Sequence, residues 1–416
     1  MSRLVIKGGK RVSGELLVQG SKNAALPILA ATVLIKGESV IHNCPHLSDI
    51  DAAIKILTHL GCHVKREDST IIVNSLGVNN YDIPDDLMRE MRSSIIFLGS
   101  ILARTNKAKM CSPGGCELGP RPIDIHISAL KKLGADINEH YGNLNCKVNG
   151  YLKGAEIFLP IPSVGATENA IIAASVAEGK TIIHNAAREP EIANLISFLN
   201  SAGAQIIYKD GYVEIDGVKE LTGASCSVIP DRIVASTYMS CAGITGGELL
   251  LKNINTSHLL PVIDAYIKSG CEIKQESNML YISAPKRLNS IDVVKTHYYP
   301  GFPTDAAPTL LSMLCVSSGT TVFVENIFEN RFKYVDELKR MGAKINLEGR
   351  VAVVSGVKTL WGSNLSCTDL RGGAALVVAA LKAEGRSVID KLNHIERGYE
   401  NIENNLLKIG VDIKRI

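Results

Sequence analysis

Two hydrophobic periods alternate along the chain. Stretches with apolar residues every three or four positions, one face of a helix, give way to stretches with apolar residues at every second position, one face of a strand. Six times the helical period ends at a Gly that opens an alternating stretch: LGCHVKRE from Leu60, LGADINEH from Leu133, AGAQIIYK from Ala202, SGCEIKQE from Ser269, MGAKINLE from Met341 and IGVDIKRI from Ile409. The glycines Gly61, Gly134, Gly203, Gly270, Gly342 and Gly410 stand about 70 residues apart, a longer period than that of ordinary solenoids. Gly just past a helix end tolerates the left-handed backbone found there, so a helix cap is the plain reading of all six.

Upstream in each unit lies a second, more apolar helix that ends in Gly and feeds a strand, as in ENAIIAASVAEGKTIIH from Glu168 and GAALVVAALKAEGRSVID from Gly373. An all-round apolar helix belongs inside and an amphipathic one outside. The fold is therefore predicted as α/β (α+β repeats), six copies of strand, buried helix, strand, amphipathic helix, strand and strand. Six copies group into two domains of three, with ligands expected in the cleft between them.

Segments that depart from the repeat are where chemistry is expected. Gly20-Ser21-Lys22-Asn23 precedes the first buried helix; Ser21 suits an N-cap, and Lys22 sits beside a helix N-terminus, which favours anions. A Lys in a solvated loop is the plain alternative. Cys111 to His126 is an insertion with three Gly and several Pro, a loop able to close as a lid. Cys116 on it has Arg121 nearby in sequence, which favours an exposed thiol of lowered pKa able to donate a proton or act as nucleophile. In Tyr299-Pro-Gly-Phe-Pro-Thr304-Asp305 the carboxylate is either an N-cap or a general base. Arg92, Arg232, Arg331, Arg371 and Arg397 recur near repeat junctions. Arginine suits bidentate binding of carboxylate and phosphate, and several converging with Lys22 point to an anionic substrate.

Composition narrows the partners. With 416 residues and 46% hydrophobic content the chain buries a large core in two or three domains. Net charge is only +3, aromatic residues are 5%, and no basic block stands out, so nucleic acid is not an expected partner and small molecules are. The ten Cys lack zinc-ligand spacing, and free thiols in a reducing compartment are expected. Residues Met1 to Gly9 have no apolar h-region, and the longest apolar runs, Ala24 to Ile35 and Ser94 to Ala103, fall short of the roughly 20 residues a spanning helix needs; no signal peptide and no membrane crossing are expected.

Nine segments taken together resemble the enolpyruvyl transferase family, in its nucleotide-sugar branch: SKNAALPILAA from Ser21, MRSSI from Met91, PGGCELGPRPIDIH from Pro113, PSVGATENA from Pro162, IPDRI from Ile229, GFPTD from Gly301, FENRF from Phe328, TDLRGGAAL from Thr368 and ERGYENI from Glu396. They cover essentially the whole chain in order. The resemblance implies a two-domain inverted α/β barrel, the first domain at residues 22–229 and the second combining 1–21 with 230–416, with the active site in the cleft. It implies transfer of the enolpyruvyl group of phosphoenolpyruvate to the 3′-hydroxyl of UDP-N-acetylglucosamine with release of phosphate. That is the first committed step of peptidoglycan precursor synthesis, and it is cytoplasmic.

The resemblance also carries roles onto residues. Asp305 matches the general base for the hydroxyl. Cys116 matches the lid thiol, a proton donor able to form a covalent adduct with phosphoenolpyruvate or with the epoxide antibiotic fosfomycin. Lys22, Arg121 and Arg397 correspond to residues around the phosphate, Asn23 to a substrate contact, and Arg371 and Arg331 assist at the anionic groups. Arg92, then Arg121, Pro122, Ile123, Asp124 and Ile125, then Ser163, Val164 and Gly165, with Asp305 and Ile327, match positions lining the nucleotide-sugar site. No metal and no cofactor are implied, since clustered cations stabilise the charge. The chain departs from its relatives at Ala306-Ala307-Pro308 and at Val234, outside the expected chemistry. Two alternatives remain: the sister enzyme that uses shikimate 3-phosphate, which lacks the PGGC lid, and a silent nucleotide-sugar-binding paralogue, which would have lost Lys22, Cys116, Asp305 or Arg397.

Overall fold

The computed structural model describes residues 2–91, 93–111 and 123–416. It divides into two compact units, one of residues 2–19 with 230–416 and one of residues 20–111 with 123–229. Each has its own hydrophobic core.

The repeat has one topology throughout. In the third copy, strand Lys180–His184 runs parallel to Glu156–Phe158 and antiparallel to Tyr212–Asp216, which pairs in turn with Gln205–Lys209. Six four-stranded sheets share this order, three in each unit. Two edge strands are drawn from distant sequence. Ser13–Leu17 lies just before the first buried helix yet pairs parallel with Glu248–Lys252 of its own unit. Ser225–Ser227 lies at the far end of the other unit and pairs parallel with Glu38–His42.

The inner helices are α1 (Lys22–Ala31), α2 (Phe97–Thr105), α3 (Val164–Ala174), α4 (Arg232–Thr245), α5 (Ala307–Leu314) and α6 (Leu370–Lys382). Every residue of α4 is buried, and in α3 everything from Ala166 to Ala174 is. Such helices have no polar face and are stable only inside. Alanines at 170, 173, 174, 374, 375, 379 and 380 keep them thin enough to pack closely. The outer helices, such as Ser48–His59 and Pro190–Ser201, bury one face. All six repeat glycines have positive φ, between 87° and 102°, which is the backbone a helix-ending glycine supplies. Among the described residues no helix is long and apolar enough to cross a membrane.

The close packing of α2 on α3 turns on one residue. A Cβ at Gly99 would lie 2.6 Å from the Asn169 carbonyl oxygen, and the Gly99 N–H donates to Asn169 Oδ1 at 2.8 Å. Gly99→Ala is expected to push the helices apart and lower unfolding stability by about 2 kcal/mol. Urea unfolding measures this, and a stability equal to wild type would contradict it.

Candidate functional site

In the unit of residues 2–19 and 230–416, α4, α5 and α6 pack side by side, and a charged cluster gathers around their N-termini. Asp231 caps α4, its Oδ1 accepting from the N–H groups of Ile233 and Val234 at 2.9 and 3.0 Å. Asp369 caps α6, accepting from Arg371 and Gly372 N–H, each at 3.0 Å. Asp305 stands just before α5 but does not cap it; the N-cap position is Ala306. Of the two roles its sequence left open, capping is excluded. Its Oδ1 accepts from Arg331 Nη2, and its Oδ2 accepts from Arg371 Nε at 3.2 Å.

Both arginines are buried, with 1% and 4% of their side chains exposed, while Asp305 keeps 29%. Burial alone would push the Asp305 carboxyl up. Arg371 and Arg331 outweigh that and hold it well below the usual carboxylate range. A shell of further bonds fixes the arginines. Arg331 Nε donates to Thr304 Oγ1 at 3.1 Å, and Thr304 donates to Glu325 Oε2 at 2.9 Å. Glu325 Oε1 also takes the Ile327 and Phe328 N–H groups at 2.8 and 3.0 Å. Arg371 Nη1 donates to the Tyr399 hydroxyl at 3.3 Å, and that hydroxyl shares a 2.8 Å bond with Thr237. Arg397 is half-buried two residues from Tyr399. Its loop is tied down by Gln19, whose Nε2 donates to the Gly398 carbonyl and whose Oε1 accepts from Glu400 N–H.

In the other unit Lys22 is the first residue of α1, followed by Asn23. Ser21 occupies the N-cap position, with no side-chain capping bond. Lys22 is not a solvated loop residue. Its Nζ donates to Asp49 Oδ2 at 3.0 Å, and the two side chains are 12% and 1% exposed. Ser163 caps α3, its Oγ accepting from Ala166 N–H at 3.4 Å. Val164 and Gly165 form the first turn, which contains no acidic residue. Ile123, Asp124 and Ile125 open the helix Asp124–Lys132, whose buried His126 lies against Gly165: a Cβ there would be 2.9 Å from the imidazole Cε1. Burial pushes His126 down to about 4, so the ring is neutral near pH 7. Its Nδ1 accepts from Asn169 Nδ2 at 2.8 Å, which assigns the proton to Nε2. Glu168 is driven well above the usual range by burial and by the like charges of Glu191 and Glu189.

The structure thus brings Asp305, Arg331 and Arg371 together, links Ile327 to them through Glu325 and Thr304, and sets the helix opened by 123–125 against α3 through His126 and Gly165, while Arg397 lies in the loop that carries Tyr399. Arg92, Cys116, Arg121 and Pro122 lie outside the described residues. The other nine cysteines are free thiols, and burial pushes those of Cys241 and Cys315 up to about 12, which leaves them unreactive. Among the described residues no group of three or more His, Cys, Asp or Glu is placed to hold a metal ion.

Several partners escaped sequence reasoning. Asp49 and Glu325 lie in no quoted segment, and Thr304 and Glu168 lie in quoted segments without a role of their own. Asp231, Asp369, His126 and Tyr399 lie within quoted segments, and a carboxylate directly before an apolar helix was a legible cap signal at Asp231 and Asp369.

The fold is similar to that of the enolpyruvyl transferase NikO from Streptomyces tendae, with a TM-score of 0.90 at 22% identity over 100% of this chain and 98% of that one. EPSP synthase from Acinetobacter baumannii gives a TM-score of 0.78 at 18% identity over 100% of both chains. This is the architecture of an enolpyruvyl transferase. A family model described as EPSP synthase (3-phosphoshikimate 1-carboxyvinyltransferase) matches residues 6–406. UDP-N-acetylglucosamine 1-carboxyvinyltransferase 2 of Caldanaerobacter subterraneus subsp. tengcongensis is 49% identical over 100% of both chains. UDP-N-acetylglucosamine 1-carboxyvinyltransferase 1 of Symbiobacterium thermophilum is 46% identical over 100% of this chain and 95% of that one. The chain belongs to the EPSP synthase family, among its UDP-N-acetylglucosamine 1-carboxyvinyltransferases.

The Asp305 pairing has a pH signature. Its folded pKa is depressed below the ordinary 3.8, so the stabilisation is present above about pH 4 and is lost as pH falls through the depressed value. Asp305→Asn leaves Arg331 charged and buried without its carboxylate, and is expected to cost about 3 kcal/mol at neutral pH. The deficit relative to wild type should be smaller at about pH 2 than at neutral pH, because below about pH 4 the unfolded chain takes up the Asp305 proton before the folded one does. Urea unfolding at both pH values measures it; a difference independent of pH would contradict the pairing.

Proposed function

We propose that this chain transfers the enolpyruvyl group of phosphoenolpyruvate to the 3′-hydroxyl of UDP-N-acetylglucosamine, releasing phosphate. This is the committing step of peptidoglycan precursor synthesis, carried out in the cytoplasm. The observation that carries the reading is full-length identity of 49% and 46% to relatives named for that activity. The sister activity on shikimate 3-phosphate is not favoured, since the solved EPSP synthases share only 18% identity with this chain. Lys22, Cys116, Asp305 and Arg397 are all retained, which speaks against a silent paralogue.

In this reading the site residues divide between the two substrates. The N-terminus of α3, with Ser163, Val164 and Gly165, offers backbone N–H groups to the diphosphate of the nucleotide sugar. Ile123, Asp124 and Ile125, with Arg92, Arg121, Pro122 and Ile327, complete the nucleotide-sugar site. Lys22, Asn23, Arg121, Arg331, Arg371 and Arg397 take the phosphate and carboxylate of phosphoenolpyruvate.

Asp305 is a poor base while two arginines hold it ionised. Anionic groups of the substrate drawn to Arg331 or Arg371 compete for those cations. Each contact that Asp305 loses raises its pKa toward the range in which it accepts a proton. Substrate binding thereby activates the base. The 3′-oxygen then bonds to C2 of phosphoenolpyruvate and gives its proton to Asp305, while C3 takes a proton from Cys116. Next the C2–O bond to phosphate breaks and phosphate leaves with the electron pair, C3 returns a proton to the Cys116 thiolate as the double bond is restored, and Asp305 passes its proton to the departing phosphate.

Phosphate release should depend on UDP-N-acetylglucosamine and stay at background with shikimate 3-phosphate. Release with shikimate 3-phosphate instead would overturn the assignment. Cys116→Ala should abolish labelling by fosfomycin and slow turnover by about a hundredfold or more. Cys116→Asp should keep turnover and resist the drug. Labelling that persists in Cys116→Ala would remove Cys116 from the lid role.

A further inference from the structure

At the C-terminal ends of α4, α5 and α6, a helix length from the Asp305 cluster, lies an open indentation of about 120 Å³. Fourteen residues in α4 put the two sites about 20 Å apart. Its floor is aliphatic, from Ile244, Leu288, Val316 and Val357. Its polar lining is wholly cationic: Lys286, Arg287, Lys358 and Lys382. Arg287 Nη2 lies 3.4 Å from the Ser317 carbonyl, and among the described residues none of the four pairs with a carboxylate.

The internal repeat explains how the charges converge. Three equivalent turns follow the strands Leu4–Lys7, Met279–Ser283 and Val351–Ser355. They read Gly8-Gly9-Lys10-Arg11-Val12, Ala284-Pro285-Lys286-Arg287-Leu288 and Gly356-Val357-Lys358-Thr359-Leu360. Each has Lys third and a buried aliphatic residue fifth. The first turn reaches the same helix ends, since Gly9 N–H donates to the Leu381 carbonyl and Glu248 N–H to that of Val12.

Cations at helix C-termini have a simple alternative explanation, because each helix end carries about half a negative charge. Three ends offset about one and a half charges, fewer than the turns and Lys382 supply. The other unit is an internal control. Its equivalent turns, 75–79, 149–153 and 217–221, hold only Lys153 and Lys219, with Glu220 beside the latter and paired to Lys36, and among the described residues its one helix-end cation at these turns, Arg104 of α2, donates to the Ser75 carbonyl at 3.2 Å. The fold does not need the basic ring. Like charges held around one cavity without a counter-charge repel one another, and an anion relieves that repulsion.

We infer that this indentation is a binding site for a small molecule bearing a diphosphate group, separate from the catalytic cluster. The lysines take the phosphate oxygens through charge-assisted bonds, and the aliphatic floor receives the ester substituent.

Titration calorimetry with inorganic pyrophosphate tests it on the full chain. Because the proposed active site also takes phosphates, the assignment rests on comparing two variants. Binding should persist in Lys22→Ala and weaken about tenfold for each lysine removed in Lys286→Ala and Lys286→Ala/Lys358→Ala. Added KCl should weaken it further. Both lysines lie on exposed turns, so turnover should stay at the wild-type level. No heat with the wild type, or binding lost in Lys22→Ala and unchanged in the double variant, would overturn the site.

Discussion

Two buried guanidinium groups facing one carboxylate set the terms for half of this molecule. Arg331 and Arg371 are almost wholly withdrawn from water, and such charges persist inside only when a counter-charge and further acceptors meet them. Asp305 supplies the counter-charge; Thr304 and the Tyr399 hydroxyl supply acceptors, and Asp369 lies 4.0 Å from Arg331. These partners come from segments near 305, 331, 369 and 399, so the pairing ties the N-terminal ends of α5 and α6 and the 397–400 loop into one arrangement. It also leaves Asp305 ionised and engaged, which is the reverse of a free base waiting for a hydroxyl.

That arrangement connects structure to reaction. Under the proposed function, Arg331 and Arg371 receive phosphate and carboxylate, and the resting Asp305 carboxylate stands in for the substrate's negative charge. The arginines need no large rearrangement to accept an anion, because they are already positioned and desolvated. A base released only when substrate displaces it does not hold a proton at the wrong moment. Lys22 follows a similar rule in the other unit, where buried Asp49 steadies it at the head of α1.

The repeat was legible because its signals are local. Six glycines ending amphipathic helices, each at positive φ, and apolar helices rich in alanine leave a periodic trace in the chain. The edge strands Ser13–Leu17 and Ser225–Ser227 were not legible in this way, since their partners lie about 235 and 185 residues away and pairing over such distances leaves no local pattern. The site was half legible. Asp305, Arg331 and Arg371 were each visible as departures from the repeat, but whether Asp305 caps a helix or meets the arginines depends on contacts 26 and 66 residues apart. Asp49 and Glu325 act only through such contacts and had no sequence signal, and Thr304 was visible only as a neighbour of Asp305. The basic cluster stayed hidden because Lys286, Lys358 and Lys382 each read as surface until their turns and the end of α6 are seen to line one indentation.

The central claim is that the arginines hold Asp305 ionised and that substrate anions release it. Carboxyl-carbon NMR on aspartate-labelled protein, with the Asp305 signal assigned through Asp305→Asn, measures its titration directly. The account predicts a midpoint well below the ordinary carboxylate range in the free protein, and an upward move when phosphoenolpyruvate saturates the site. An ordinary midpoint in the free protein, or one that phosphoenolpyruvate leaves in place, would contradict it.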